Sequence, residues 1–215
     1  MPSGNKENAV SERRLRPIYD HIDLGNYRKA ITEADRVLKK QPSLLCAKAL
    51  KALALLRLQR IDEANTILIQ VEKEEPVQDD LLSALTHCYK ELAQPQRIAS
   101  AYEAACRKDP SEQHLTHLFM AYVRVSDYRR QHQTAMQLYK VAPKNPYYFW
   151  AIVSLLMQGM DDPDQGTKMY YPLANRLIEK FRSEDKITAE AEVSAYLMLL
   201  ERLGKREEIL ELLGE

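Results

Sequence analysis

Four prolines punctuate the sequence at nearly equal intervals. They are Pro42, Pro76, Pro110 and Pro143. A proline ends or interrupts a helix because it lacks the amide donor and its ring clashes with the preceding turn. The interval of about 34 residues matches the helix–turn–helix period that is typical of tetratricopeptide repeats. The spacing therefore predicts a chain built from repeated helical hairpins.

The segment from Gly25 to Pro42 shows what one of these repeats contains. Its apolar residues recur at helical spacing and form one stripe, which is typical of an amphipathic helix packed on one side. The stripe consists of Tyr27, Ala30, Ile31, Ala34, Val37 and Leu38. Ala30 recurs one period later as Ala64. The pattern predicts an all-α fold, a right-handed α-superhelix of about five and a half tetratricopeptide-like hairpins.

The ends of the chain differ from this repeat pattern. Residues 1–10 are polar and are predicted to be a disordered leader, with the first helix beginning near Ser11 as its N-cap. Residues 11–215 are predicted to form the repeat array, in which Met160 to Gly166 is a longer acidic loop and the sixth repeat begins near Thr188. The last helix is short and has no polar capping repeat after it. We therefore expect the array to be truncated at its C-terminal end.

The net charge of zero hides a division along the chain. Residues 1–60 hold 13 Lys and Arg against 6 Asp and Glu, whereas residues 61–215 hold 18 against 25. A basic leading end on a neutral chain indicates a locally anionic partner, either RNA or an acidic protein. The alternative is that these charges form the solvated outer faces of helices.

The sequence lacks the motifs that are typical of catalysis or cofactor binding. No G-x-G and no H-E-x-x-H occurs, which argues against dinucleotide, P-loop and coenzyme A turns and against a zincin site. His114 and His117 have metal-ligand spacing on a helix, but no third ligand is suggested nearby. We expect no catalytic residue, no bound cofactor and no metal.

The sequence also indicates a compartment. No apolar run approaches the roughly 18 residues that a membrane span needs, and the first dozen residues are too polar for a secretory signal. The three cysteines are far apart and form no C-x-x-C pair. We therefore expect a cytoplasmic protein with neither a membrane nor DNA as its partner.

The first helix of each predicted repeat should line the concave face of the array. Reading the repeat register from the prolines gives a largely apolar inner wall, and an exposed apolar surface usually marks a protein interface. The candidate partner-binding residues are Leu15, Tyr19, Ile22, Leu53, Leu56, Met120, Val123, Phe149, Val153 and Met157. The alternative is that neighbouring repeats cover part of this wall.

Several strings of residues are more specific than the repeat pattern. They run from Arg13 to Asp20, from His117 to Tyr122, from Val141 to Trp150, from Ala189 to Val193 and from Leu200 to Lys205. In these strings, and over about residues 11–215, the chain resembles the auxiliary subunits of the NatB N-terminal acetyltransferase. Subunits of that family are several times longer, so only the leading repeats are present.

The resemblance implies a non-catalytic role. In that family a partner subunit binds acetyl-CoA and acetylates nascent chains that begin Met-Asp, Met-Glu, Met-Asn or Met-Gln. The large subunit wraps and stabilises this enzyme and places it at the ribosome. The implied partners are therefore the catalytic subunit and the ribosome. The basic residues hypothesised to meet ribosomal RNA are Arg13, Arg14, Arg16, Arg28, Lys29, Lys39 and Lys40.

Two other interpretations of the repeats remain open. A generic tetratricopeptide adaptor that grips a C-terminal carboxylate needs Lys and Asn on its inner face, where this sequence has residues such as Cys46, Asp80 and His87. An RNA-binding solenoid would show base-stacking aromatic residues among basic groove positions.

Overall fold

The computed structural model of the chain describes residues 4–143, 146–183 and 189–213, and in these ranges the regular structure is helical. This confirms the all-α class and the helical hairpins. The right-handed superhelical twist stays a prediction. The chain divides into two compact units, residues 1–110 and residues 111–215.

Unit 1 contains three helical hairpins. Its helices are α1 Gly4–Asp23, α2 Tyr27–Lys40, α3 Leu45–Arg57, α4 Ile61–Glu72, α5 Asp79–Glu91 and α6 Pro95–Lys108. Each first helix packs on its own second helix, and the first helices α1, α3 and α5 also pack on one another in order. The hairpin is therefore the structural repeat of this unit.

The second helices keep the period that the prolines predict. They begin at Tyr27, Ile61 and Pro95, and the second helix of the first hairpin in unit 2 begins at Tyr128 after a nearly equal interval. The spacing is again about 34 residues, the repeat length of this class of protein. Pro95 is the first residue of α6, a position at which its missing amide hydrogen leaves no bond unmade.

Every turn inside these hairpins closes through one residue in the left-handed region. Gly25, Gln59 and Ala93 have φ values of 72°, 61° and 52°, and each stands two positions before its second helix. Glycine adopts this conformation freely, whereas a residue with a Cβ is strained in it by about 1–2 kcal/mol. The left-handed backbone conformation therefore depends on the position in the hairpin and not on the type of residue.

The core of unit 1 is made of alanine and leucine. Ala30, Ala47 and Ala64 are fully buried, and so is Leu68. Alanines at helix contacts let the backbones approach closely, and each buried leucine contributes about 1.5–3 kcal/mol. Helix α3 is buried on most of its surface, as its lack of a polar face suggests.

Unit 2 also begins with a regular hairpin and then changes. Its elements are α7 Glu112–Val125, α8 Tyr128–Val141, α9 Tyr147–Asp161, the helical turn α10 Pro163–Gln165, a π-helical segment Gly166–Tyr170, α11 Tyr171–Ser183, α12 Glu190–Arg202 and α13 Arg206–Leu213. Helix α9 packs on α8, on the π-helical segment, on α11 and on α12. It is the centre of this unit.

Two glycines allow the π-helical segment to lie against α9. A Cβ added at Gly166 would stand 2.5 Å from the carbonyl oxygen of Gly159, and one added at Gly159 would overlap the ring of Tyr171. Neither approach is compatible with van der Waals contact. The crossing therefore requires glycine at both positions.

Two boundaries differ from the sequence predictions, and a third lies outside the described residues. The acidic loop predicted from Met160 to Gly166 is wrong, because α9 continues to Asp161 and the Asp162 side chain then accepts a hydrogen bond from the Gln165 amide at 3.2 Å and caps α10. Helix α1 begins at Gly4 and not at Ser11, so residues 4–10 are helical, and residues 1–3 lie outside the described ranges. Thr188, the predicted start of repeat six, also lies outside them.

None of the described helices combines the length and the apolar composition that crossing a membrane requires.

Candidate interaction surfaces

The predicted inner wall falls into two classes in unit 1. Leu15, Leu53 and Leu56 are only 5%, 7% and 4% exposed. They are core residues, so their assignment as partner-binding residues is wrong, because the helices packed around α1 and α3 cover them. Tyr19 and Ile22 are half-buried on α1.

Tyr19 connects two first helices of unit 1. Its hydroxyl contacts the Cys46 sulfur at 3.6 Å, which links α1 to α3. Burial raises the pKa of the Tyr19 hydroxyl, and the neighbouring Cys46 adds to the shift. The hydroxyl is therefore a neutral packing partner of the thiol, and most of this wall serves the repeats themselves.

The predicted wall of unit 2 remains accessible. Met120 and Val123 on α7 are 37% and 43% exposed, and Phe149, Val153 and Met157 on α9 are half-buried. We call these five side chains the α7/α9 face. The described helices of this unit leave these side chains in contact with solvent, which gives an apolar surface of the kind that marks protein interfaces.

The aromatic cluster from Tyr147 to Trp150 fixes α9 beside α7. Trp150 stacks on Phe119 with ring centroids 4.4 Å apart, and it meets Tyr147 edge to face at 5.2 Å. The Tyr147 hydroxyl donates a hydrogen bond to Glu112 at the start of α7. Tyr147 and Tyr148 are buried. The cluster therefore belongs mainly to the core between repeats, and its contacts join α9 to α7.

All seven basic residues predicted to meet RNA are exposed in unit 1. Three of them, Arg13, Arg14 and Lys40, line a cavity of about 260 Å³ between α1 and α2. The cavity is completed by Pro17, Val37 and a further cation, Arg36. Sequence reasoning missed Arg36, although its position four residues before Lys40 places both on one face of α2.

The cations of this cleft are held differently. Arg14 donates a hydrogen bond to the Gln41 amide oxygen at 2.7 Å, and Arg36 makes an ion pair with Glu33 at 2.7 Å. Among the described residues, Arg13 and Lys40 have no ion-pair partner. Two restrained and two unpaired cations therefore surround one cavity.

Arg28 and Lys29 lie elsewhere, in the first turn of α2. A cation is unfavourable there because the N-terminus of a helix carries the positive end of its dipole. These two residues are exposed and do not line the cavity. They form a second basic position, separate from the α1–α2 cleft.

Burial favours the protonated form of the thiols in unit 1. Burial raises the pKa of the Cys88 thiol to about 12 and that of Cys106 to about 11, so both stay protonated at neutral pH. Among the described residues, no three histidine, cysteine or carboxylate side chains are grouped so that they could hold a metal. The described surfaces are therefore apolar on α7 and α9 and cationic between α1 and α2.

Comparison with known families agrees with this architecture. Residues 12–215 match the family described as Psidin, N-terminal TPR repeats region. The chain belongs to this family.

The most similar sequences include the NatB auxiliary subunits of N-alpha-acetyltransferase from several animals. The human and rat proteins are each 50% identical to this chain over 206 residues, which is 94% of this chain and 21% of theirs. The Phagocyte signaling-impaired protein of Drosophila pseudoobscura pseudoobscura is 45% identical over 218 residues, 99% of this chain and 23% of its own. The chain thus spans about a fifth of the length of the curated relatives it matches. The resemblance to NatB auxiliary subunits is confirmed.

Solved structures share the fold at lower identity. A chain in the structure of Naa15/Naa10 bound to HypK-THB aligns with 95% of this chain and 31% of its own length, at a TM-score of 0.69 and 16% identity. A tetratricopeptide repeat protein from Parabacteroides merdae aligns with 94% of this chain and 77% of its own, at a TM-score of 0.52 and 15% identity. Both show the helical-repeat fold.

Proposed function

We propose that the chain is the leading repeat segment of a non-catalytic NatB auxiliary subunit, which scaffolds and stabilises the catalytic acetyltransferase subunit. The observation that carries the proposal is its 50% identity to NatB auxiliary subunits across 94% of its length. The residues agree with a scaffold, because its described surfaces are suited to binding and its buried thiols stay protonated.

The α7/α9 face is the surface proposed to meet the catalytic subunit. Met120 and Val123 are exposed on α7, and the flexible thioether of methionine adapts to the shape of a partner. Burying a few such side chains contributes about 1.5–3 kcal/mol each, which helps to offset the free-energy cost of association. A stable complex also needs contacts from the rest of the full-length subunit.

The basic residues of unit 1 are proposed to place the complex at the ribosome, in the cytoplasm. There the catalytic subunit would acetylate nascent chains that begin Met-Asp, Met-Glu, Met-Asn or Met-Gln. Exposed arginines and lysines attract RNA phosphates and release counterions, so the contact should weaken steeply with salt.

Copurification tests the scaffold role. The full-length subunit, with this segment unchanged or carrying Met120→Glu and Val123→Glu, would be coexpressed with the catalytic subunit. We expect the double variant to recover several-fold less catalytic subunit, because two charges would be buried at an apolar contact. Ile61→Glu with Ile69→Glu is the matched control, since the two residues are 44% and 49% exposed on α4 of unit 1.

One result would contradict the assignment of the α7/α9 face, and another would contradict the scaffold role. Unchanged recovery with the double variant would remove the α7/α9 face from the contact. Failure of the unmodified subunit to retain a catalytic partner, with retention of an unrelated protein, would favour the generic adaptor.

Ribosome co-sedimentation tests the placement. Reversing the charge at all seven predicted basic residues should abolish sedimentation with ribosomes at low salt while the catalytic subunit stays bound. If the variant still sediments with ribosomes, the ribosome contact lies elsewhere.

A further inference from the structure

We infer that the cleft between α1 and α2 is a phosphate-binding site that grips the sugar–phosphate backbone of RNA. The inference deepens the proposed ribosome contact and rests on it. It replaces a diffuse basic patch with one defined cavity, and it adds Arg36, which the sequence prediction does not include.

The cleft is built from one turn of each helix. Arg13, Arg14 and Pro17 lie within one turn of α1, and Arg36 and Lys40 are four positions apart on α2. Half-buried Pro17 and buried Val37 contribute its apolar lining. Four cationic side chains therefore converge on a cavity of about 260 Å³, which is large enough to admit a phosphate group.

Two of the cations are already oriented. The bond from Arg14 to Gln41 restrains one guanidinium, and the Glu33 carboxylate restrains that of Arg36 at 2.7 Å. Restraint before binding lowers the entropy that association removes. A guanidinium also presents paired N–H groups that match two phosphate oxygens.

The other two cations remain available to an anion. Arg13 and Lys40 are exposed, and no ion pair links either of them to a described side chain. The Glu33 carboxylate offsets one of the four positive charges, so a net excess of about three remains at the cleft.

The chemistry of the cleft favours RNA over an anionic membrane. A protein that lies on a lipid surface usually inserts large apolar side chains beside its cations. The apolar lining of this cleft is small, because Val37 is buried and Pro17 is half-buried. The exposed large apolar side chains described in unit 1 are Leu24, Ile61 and Ile69, and none of them lines the cavity.

A pair of matched variants of the 215-residue chain separates the cleft from the rest of the basic surface. Arg13→Glu with Lys40→Glu changes two cations of the cleft. Arg28→Glu with Lys29→Glu changes two exposed cations outside it and alters the net charge equally. All four residues are exposed, so circular dichroism and thermal melting should show that both variants fold like the parent.

Binding would be measured by fluorescence anisotropy with a labelled 20-nucleotide RNA hairpin at several salt concentrations. We expect the cleft variant to bind about tenfold more weakly at low salt, with a salt slope smaller by about 1.5, because two phosphate contacts are lost. The matched variant should lose less than threefold. Vesicles of phosphatidylserine and phosphatidylcholine serve as the second probe and should bind neither the parent nor the variants.

The remaining results overturn the inference in distinguishable ways. Equal losses in the two variants would mean a diffuse patch, which removes the cleft and leaves the proposed ribosome contact intact. Full RNA binding by both variants, together with unchanged ribosome sedimentation of the same variants in the full-length subunit, would remove both proposals. Parent binding to the vesicles that Arg13→Glu with Lys40→Glu abolishes would assign the cleft to lipid headgroups.

Discussion

The two units of this chain are built from the same kind of helical hairpin, but they differ in how far its apolar side chains are buried. Unit 1 repeats at a constant interval, and Leu15, Leu53 and Leu56 of its first helices are buried in its core. Unit 2 interrupts the repeat with a π-helical segment and leaves Met120 and Val123 exposed. The neighbouring helices therefore cover these apolar residues in unit 1, whereas the regular hairpin α7–α8 of unit 2 keeps two of its apolar side chains exposed to a partner.

The largest expected effect concerns the aromatic cluster that joins α9 to α7 in unit 2. Trp150→Ala removes the stack on Phe119 and leaves a cavity, so we expect the free energy of unfolding to fall by about 2–4 kcal/mol. Thermal unfolding should show a melting temperature lower by at least about 5 °C. Met120→Ala, at an exposed site, should change it little. If Trp150→Ala leaves the melting temperature unchanged but abolishes partner binding, Trp150 contacts the partner and is not a core residue.

The next effect tests whether the irregular crossing in unit 2 is obligatory. Gly166→Ala forces a Cβ against the backbone carbonyl of Gly159, 2.5 Å away, and the backbone cannot yield as a flexible side chain would. Overpacking of this kind should lower the free energy of unfolding by about 1–3 kcal/mol in urea titrations. The neighbouring exposed substitution Thr167→Ala is the control. Equal stability of the two variants would show that the crossing tolerates a Cβ.

Alkaline pH should lower the stability of unit 1 in particular, since all three cysteines lie in this unit. Burial raises the pKa of Cys88 from 9.0 to about 12, so the folded chain holds this proton more tightly than the unfolded chain. Stability is therefore complete below pH 9 and falls above it, by about 1.4 kcal/mol per pH unit. Cys88→Ala should flatten this fall when unfolding is measured between pH 8 and 10. If the free energy of unfolding falls equally with pH in parent and variant, groups other than Cys88 cause the fall.

The smallest effect concerns the turns. Ala93 has a φ of 52°, so Ala93→Gly should relieve strain and raise the free energy of unfolding by up to about 1 kcal/mol. Gly25→Ala, at a φ of 72°, should lower it by a similar amount. Urea titrations of the pair measure both. The same sign in both variants would contradict a common left-handed geometry at these turns.

The helical hairpins of unit 1 are largely predictable, because the interval of about 34 residues between prolines in the sequence is also the interval between successive hairpins in the structure. Pro42, Pro76 and Pro110 indicate the repeat length, and the starts of α2, α4 and α6 follow it. The seven basic residues are exposed, as a solvent-facing patch requires. The buried wall residues are misassigned by the sequence pattern because periodicity shows which residues share a face, but not how closely the next helix approaches it.

Unit 2 is harder to predict from local patterns. Met160 to Gly166 has the composition of a loop, yet Asp162 and Pro163 form an N-cap and a first helical residue. The close approach of Gly166 to Gly159 depends on residues in two elements, which no single window of sequence contains. Arg36 of unit 1 escapes sequence reasoning for a similar reason, since its role in the cleft depends on α1 lying beside α2.

The left-handed residue of each turn has an evolutionary consequence. Glycine, glutamine, alanine and serine all occupy it, at Gly25, Gln59, Ala93 and Ser126. Since the backbone at the junction is alike whatever the side chain, a whole module can be gained or lost by recombination between two such points. Excising residues 60–93 would join Gln59 directly to Gln94, with the turn geometry of both parents preserved. A repeat protein whose turns share one backbone conformation can therefore gain repeats by duplication without any change in the turns.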